Sequence, residues 1–481
     1  MNLTLEEIQK AVTGQLLQGA PDHHAKGVST DSRTLKTGEL FIALKGEHFD
    51  GHDFITKDMV SKASGLMVSR KYNMRNLVSF KKDIPVIQVS DTLTALGDLA
   101  ATWTKKNRAT IVGITGSNGK TTTREMTATI LAHAHHVLKP EHNWNNLIGL
   151  PLTLLRLQPD HEVAVVEMGM NRKGEIKRLA QIAQPHIGVI TNISAAHLQY
   201  LRTLQEVAQA KGELFDALTT ECHAVVNIDD PLIVERAQQC PAGKITFGIS
   251  AKAQVTALHI PPVAHNETHF TLQIEDTRIP ITLKTPGTHS IYNALAAAAT
   301  ATLLHMSPEE IQAGLNQFRP FPGRMETIRI PDNITIINDT YNANPTSMHI
   351  ALKTLAQLSG PGRRIAVLGD MAELGDASQD FHHQVGSLIK KMDLSAAVLM
   401  GPHAHIVKES ARAHGMREEA LYIAQHHEEI AQYLDEHVQA NDWILFKGSR
   451  TMQMEKSLEQ FLRLRSTAAK VIPFTKPAPL G

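Results

Sequence analysis

Two kinds of hydrophobic pattern alternate along the chain, and where they change they divide it into three blocks. The first opens with Thr4-Leu-Glu-Glu7. There a threonine and a glutamate three residues on can satisfy each other's backbone N–H groups, so a helix starts there. Short apolar runs follow at 39–44 (ELFIAL), 64–69 (SGLMVS) and 84–90 (IPVIQVS), each of strand length. This block predicts a small α/β unit, residues 1–91.

The second block begins with the helical stretch TLTALGDLAATWTKK. The runs TIVGIT, VAVVEM (163–168), IGVITNI (187–193) and AVVNI (224–228) are apolar throughout and separated by helical segments. Such runs predict parallel strands covered on both faces. From 244 to 285 the pattern changes to period two (KITFGI, VTALHI, HFTLQI, RIPITLK), which predicts an antiparallel patch. An Ala-rich helix from about Ser290 follows, and Ser307-Pro-Glu-Glu310 opens another with proline in its first turn. The third block starts near Arg319-Pro-Phe-Pro-Gly-Arg324 and carries strands at 335–339, 364–369, 396–401, 420–424 and 443–448 with helices between them. This is a second doubly wound pattern. The expected fold class is α/β with three domains. They are the small N-terminal unit (1–91), a central P-loop-type parallel sheet with an antiparallel patch (92–322) and a C-terminal Rossmann-like domain (323–466). A loose Pro- and Lys-containing tail is expected at 467–481.

Composition narrows the function. Lys+Arg and Asp+Glu both number 48 in 481 residues, so the net charge is zero. A chain without a broad positive field is not expected to bind nucleic acid, and an anionic ligand needs a local site. Only Cys222 and Cys240 are present, which fits a reducing compartment and no disulfide framework. The start of the chain lacks a signal-peptide pattern, and the apolar run 294–304 is too short to span a bilayer, so a cytoplasmic, non-membrane protein is expected. His133, His135 and His136, placed on the helix after TIVGIT, have no metal-site context and are read as surface or packing residues.

The candidate chemistry begins at Ile111–Met126, IVGITGSNGKTTTREM. It resembles a phosphate-binding loop of the form G-x-x-x-x-G-K-[ST], but Ile114 stands where the first glycine belongs. An apolar strand precedes it and a helix follows. Gly116, Ser117, Asn118 and Gly119 can turn backbone N–H groups toward an anion at a helix N-terminus. Lys120 would reach the β- and γ-phosphates, Thr121 would offer a hydroxyl to Mg²⁺, and Thr122 completes the loop. Glu167 closes the strand VAVVEM, at the carboxyl end where ligands bind in such sheets, and suits Mg²⁺. His197, after IGVITNI, is by itself as readily a loop hydrogen-bonding histidine as a ligand. Lys211 reads as an ordinary helix lysine. Asp339 with Tyr341 suits a ribose and a stacked base; a turn before the helix PTSMHIAL is the plainer alternative.

Taken together these residues resemble the Mur ligase family, ATP-dependent amide ligases of peptidoglycan precursor synthesis. The family's longer loop, G-x-x-G-x-x-G-K-[TS], matches Gly113, Gly116, Gly119, Lys120 and Thr121, and the resemblance covers nearly the whole chain in three domains. The stretches STDSR (29–33), ALKGEHFDGH (43–52), NWNNLIGLPLTLL (143–155), EMGMNRKGEI (167–176), NDTYNANP (338–345) and LGDMAELG (368–375) point to the branch that joins D-alanyl-D-alanine to UDP-N-acetylmuramoyl-tripeptide. Neither DYAH, DNPR nor DGAHNP, marks of other branches, occurs.

The resemblance implies that Lys120 contacts the phosphates of ATP and that Thr121 and Glu167 hold one Mg²⁺. His197 would help hold a second, and Lys211 would be a carbamate that orients metal. It places Asn293, Arg324 and Asp339 at the nucleotide, and Ser29, Asp31, Ser32 and Arg33 at the UDP-sugar end. Asn145, Asn146 and the 370–383 region are candidates for the acceptor, and a monomer is expected. Many relatives read H-N-x-x-N before the Ala-rich helix, whereas this chain has His289-Ser290-Ile-Tyr-Asn293. The residues alone also admit a related ligase with another amine acceptor, such as a folylpolyglutamate-type enzyme. They admit as well a P-loop NTPase switch or a non-catalytic nucleotide-binding module.

Overall fold

The computed structural model describes residues 1–72, 84–195, 199–250, 252–262 and 267–468. The helix Leu5–Ala11 starts at the expected capping box: Thr4 Oγ1 accepts from Glu7 N–H, and Glu7 returns the bond to Thr4 N–H. Its apolar residues Leu5 and Ile8 are buried. Behind it lies a five-stranded sheet in the order Gln15–Gln18, Val86–Val89, Gly65–Ser69, Leu40–Ile42, Val28–Ser29. All its pairings are parallel except that of Gln15–Gln18.

The central sheet has nine strands among the described residues. From one edge they run Val137–Leu138, Val163–Glu167, Thr110–Thr115, Ile187–Ile190, His223–Asn227, Gly243–Gly248, Val255–Leu258, Thr268–Ile274, Thr277–Leu283. Pairings are parallel as far as Val255–Leu258. The antiparallel patch is therefore narrower than its period-two pattern suggested. Gly243–Gly248 joins the parallel array, and only the hairpin Thr268–Ile274/Thr277–Leu283, with its pairing to Val255–Leu258, is antiparallel. Alternation marks which faces are buried, not strand direction, so a parallel strand near a sheet edge reads the same way.

Helices cover both faces of this sheet. On one side Thr288–Leu303 packs on Lys120–Leu131. Its residues Ala294 to Ala299 are fully buried, because small side chains let the two backbones approach. The other face is covered by Glu175–Ala183, Leu204–Asp216 and Thr92–Lys106. His133, His135 and His136 fall in the turn after Lys120–Leu131 rather than on the helix.

The third sheet has the order Glu326–Ile330, Ile334–Asp339, Trp443–Lys447, Arg364–Gly369, Ala396–Met400, Leu421–Ala424. It is parallel except for its first strand, an edge strand that the sequence pattern did not reveal. The helix Glu455–Ala468 runs into the segment expected to be a loose tail; the rest of that tail lies outside the described residues. No helix among the described residues is long and apolar enough to cross a membrane.

Candidate functional site

The carboxyl ends of the central and third sheets face one cleft of about 990 Å³. Its floor is the loop between Thr110–Thr115 and Lys120–Leu131. Gly116 has φ +147° and Gly119 has φ +80°. A Cβ at Gly116 would lie 1.9 Å from Thr191 Oγ1, and one at Gly119 would lie 2.2 Å from Asn293 Oδ1. Both positions therefore require glycine. Gly113 instead lies inside the strand, opposite Val166 and Gly188, and its Cβ would meet Met168 at 2.9 Å. The extra glycine of the long loop pattern thus serves sheet packing.

The loop is pinned from the next strand end. Ser117 N–H donates to Asn192 C=O at 2.9 Å, Ser117 Oγ to Ser194 C=O at 2.9 Å, and Thr191 Oγ1 to Asn118 C=O at 2.6 Å. Asn344 Nδ2 donates to Asn118 Oδ1 at 2.8 Å, which ties the third sheet's first loop to the glycine loop.

Lys120 folds over the loop and donates to the carbonyls of Gly116 (2.8 Å) and Ser117 (3.3 Å). Burial lowers its pKa, with Arg324 adding to the shift and Glu167 opposing it. Thr121 Oγ1 donates to Glu167 Oε2 at 2.8 Å, and Asn145 Nδ2 donates to Glu167 Oε1 at 2.8 Å. Glu167 is 1 % exposed. Burial alone would raise its carboxyl, but Lys120, Arg324 and Arg124 and the Asn145 bond together hold it below the usual carboxylate range. A charged carboxylate beside a hydroxyl, both oxygen donors at a phosphate loop, fits Mg²⁺. Arg124, fully buried on the loop helix, stands 3.6 Å from Glu167 and bonds Glu125 and the carbonyl of His142. Sequence reasoning missed it because a charged residue in a helix pattern reads as surface.

Lys211 is 1 % exposed, and burial first and Lys120 second push its amine well below the usual lysine range. Among the described residues no carboxylate pairs with it. A buried amine with a lowered pKa is not the ordinary helix lysine that its spacing suggests. His197 lies outside the described residues.

The opposite wall belongs to the third sheet. Asp339 Oδ2 is 2.6 Å from Lys447 Nζ, and Asp339 Oδ1 accepts from Met325 N–H at 3.2 Å. Lys447, 1 % exposed, also donates to Asn342 C=O at 2.9 Å. The signal for it was present in WILFK, an apolar strand ending on a lysine. The Arg324 guanidinium sits 4.0 Å above the Tyr341 ring, a cation–π contact, with Arg450 at 6.0 Å. Asn293 accepts from Thr123 at 3.3 Å, beside Gly119. Ser290 turns its hydroxyl to Thr285, Pro286 and His289, back into its own helix start. His289 lines the cleft with its Nδ1 buried and unpartnered among the described residues, and burial drops its pKa to about 4.

Some expected residues stand apart. Asn146 caps a turn by accepting from Ile148 and Gly149 N–H, and does not line the cleft. Ser29, buried at the end of Val28–Ser29, and Asp31, Ser32 and Arg33 in the turn after it lie on the first sheet, outside the cleft. Arg33 is paired there with Asp31 at 2.6 Å, which lowers the Asp31 carboxyl to about 2.

In comparisons with known proteins, residues 114–301 match the Mur ligase middle domain, 323–450 the Mur ligase, glutamate ligase domain, and 24–104 the Mur ligase family, catalytic domain. The chain belongs to the Mur ligase family. The ligase is similar to the UDP-N-acetylmuramoyl-tripeptide–D-alanyl-D-alanine ligase of Escherichia coli, 37 % identical over 95 % of this chain and 97 % of that protein. It is similar also to the protein of that name from Bacillus subtilis, 35 % identical over 95 % and 98 %. Among solved structures, MurF from Acinetobacter baumannii superposes with TM-score 0.87 at 32 % identity, covering 96 % of this chain and 99 % of that one. MurF from Thermotoga maritima, solved with ADP, gives 0.81 at 26 % identity, covering 92 % and 99 %. ATP use follows from the family.

Proposed function

We propose that this ligase joins D-alanyl-D-alanine to UDP-N-acetylmuramoyl-tripeptide through an acyl phosphate, driven by ATP. The observation that carries the reading is the cleft itself, with Lys120, Thr121 and Glu167 on one wall and Asp339, Lys447 and Arg324 on the other. The acceptor follows from relatives of that name matched over nearly the whole chain. We place the UDP-sugar end on residues 1–91 around Ser29, Asp31, Ser32 and Arg33, the ATP on 92–322 and the acceptor on 323–466.

In the first step the tripeptide carboxylate attacks the γ-phosphorus, and ADP leaves. Lys120 exchanges its loop carbonyls for phosphate oxygens and offsets charge on the transferring group; Gly116, Ser117, Asn118 and Gly119 form the loop around the phosphates, with the Ser117 and Asn118 N–H groups held by Asn192. Thr121 and Glu167 would hold Mg²⁺, which supplies charge neutralisation on the phosphates. His197 is assigned to a second such ion. Asn293, Thr122, Arg324, Tyr341 and Asp339 hold the nucleotide. In the second step the dipeptide amine attacks the acyl carbon, phosphate leaves, and the nitrogen's extra proton is released. Asn145, bonded to Glu167 on the cleft wall, is kept as a candidate contact for the acceptor. An uncharged amine is the form that adds CO₂, releasing a proton to give a carbamate anion, and burial shifts Lys211 toward that form. Loss of activity in Lys211→Ala with recovery on adding short carboxylates supports that carbamate; loss without recovery contradicts it.

The function is tested by phosphate release from ATP with UDP-N-acetylmuramoyl-tripeptide, with and without D-alanyl-D-alanine. Sustained release that requires both is expected. Release with neither present fits an NTPase switch and overturns the reading.

A further inference from the structure

Every polar group of Asn118, in the glycine loop, is engaged. Its N–H donates to Asn192 Oδ1 at 3.1 Å, and its C=O accepts from Thr191 Oγ1 at 2.6 Å and from Asn192 Nδ2 at 2.9 Å. A trans peptide points its N–H opposite to its C=O, so these bonds turn the Gly119 N–H away from that strand end. The Asn118 side chain donates from Nδ2 to Ser194 Oγ at 3.0 Å. These partners follow Ile187–Ile190, a strand of the loop's own sheet. The partner of Asn118 Oδ1 does not. It is Asn344 Nδ2, at 2.8 Å and 226 residues further along the chain.

Asn344 has a second task. It caps the helix Pro345–Gln357: its Oδ1 accepts from Ser347 N–H at 2.8 Å, and its own N–H donates to Ser347 Oγ at 3.0 Å. The cap takes the amide oxygen and leaves the amide nitrogen to face the loop. Asn118 is oriented in turn, offering Oδ1 to Asn344 and Nδ2 to Ser194. The helix packs on Arg364–Gly369 and Trp443–Lys447 and so belongs to the third sheet. Further along it touches the central domain again. Thr354 Oγ1 would lie 2.7 Å from a Cβ at Gly287, where Thr288–Leu303 starts. That second helix carries Asn293, the residue that crowds Gly119.

We propose that Asn344 makes the working shape of the phosphate loop conditional on the third sheet being seated against it. The bond between the two asparagines carries the proposal: one side chain both starts a helix of the third sheet and holds a residue of the loop. An acyl phosphate has to form where water is kept out, and a loop completed by the opposite wall grips the phosphates best when that wall is in place. Asn344 is a positioning residue that acts on the phosphates through Asn118. The inference rests on the reading of this loop as the site of the ATP phosphates.

The test is a double-mutant cycle on the full chain, read as the Kd of a non-hydrolysable ATP analogue with Mg²⁺ by calorimetry. Asn344→Ser keeps the cap, since serine and asparagine cap helices about equally well, but it supplies no amide to Asn118. Its unfolding midpoint should match the wild type. Its Kd should rise about three- to tenfold, the size of one hydrogen bond. Asn118→Ala should lose at least as much, and the double variant no more than Asn118→Ala alone, because both changes break the same contact. A residue that merely caps its helix would act independently, and the two losses would multiply. Losses that multiply, or an Asn344→Ser protein with wild-type Kd, overturn the proposal. Lys120→Ala checks the loop reading. An unchanged Kd there fails that reading and the proposal with it. A large rise there, with losses that multiply at the asparagines, fails the proposal alone.

Discussion

The central and third sheets present the same end, the carboxyl ends of parallel strands, to the same cleft, yet they equip it in opposite ways. The central sheet works through its backbone. Gly116 and Gly119 give up side chains so that the loop can pass close to Thr191 and Asn293, which lie 1.9 and 2.2 Å from a would-be Cβ. The third sheet works through side chains, with Asp339 joined to Lys447 at 2.6 Å, Asp370 to His403 at 2.6 Å, and Arg324 over Tyr341. A fold of this class places strand ends around a crevice, and the residues there decide the chemistry. A phosphate needs many converging donors and little shape, which backbone supplies; a ribose and an amine need particular partners, which side chains supply.

This contrast can be broken most severely at Lys120, where the loop's one side-chain cation sits. Lys120→Ala should lower ligation by about a thousandfold or more, the scale of losing charge stabilisation in phosphoryl transfer, while circular dichroism and melting stay near wild type. Loss of the fold instead would make Lys120 structural. On the other wall, Lys447→Met leaves the largely buried Asp339 without its cation. It should cost about 3 kcal/mol of stability, read by denaturant unfolding, and raise KM for ATP. An unchanged midpoint would show the pair to be idle.

Gly119→Ala tests the backbone half. A Cβ at φ +80° beside Asn293 should cost about 1–2 kcal/mol locally and appear mainly as a higher KM for ATP with little change in dipeptide KM. The last effect concerns pH and is confined to acid. His289 has a pKa near 4 in the fold against an ordinary 6.5. Below 6.5 the unfolded chain takes up the proton first, so His289 subtracts stability as pH falls from 6.5 to about 4, and the loss is complete below that. His289→Gln should flatten this part of the stability–pH curve; an identical slope would remove His289 as its cause.

Much of this was legible in the sequence because it depends on local pattern. The apolar runs gave the strands, the capping boxes at Thr4 and Ser307 gave helix starts, and the loop with Glu167 at the next strand end pointed to residues that the fold brings together in the cleft. What depended on packing was not legible. Lys211 looked ordinary because nothing in VAQAKGELF says that its helix face is covered. Arg124 and Lys447 looked like surface cations for the same reason. Gly113 looked like part of the loop, but its pairing partners put it inside the sheet. The edge strand Glu326–Ile330 was hidden behind a Pro- and Gly-rich approach, and the direction of Gly243–Gly248 cannot be read from alternation.

The central claim is that the cleft carries two half-reactions through one acyl phosphate. The most direct test supplies UDP-N-acetylmuramoyl-tripeptide with ¹⁸O in the reacting carboxylate and analyses the released phosphate by mass spectrometry. If the carboxylate attacks the γ-phosphorus and the amine then displaces phosphate from the acyl carbon, each phosphate carries one ¹⁸O from the peptide. Unlabelled phosphate accompanying labelled product would mean that ATP is split without activating the carboxylate, and would contradict the account.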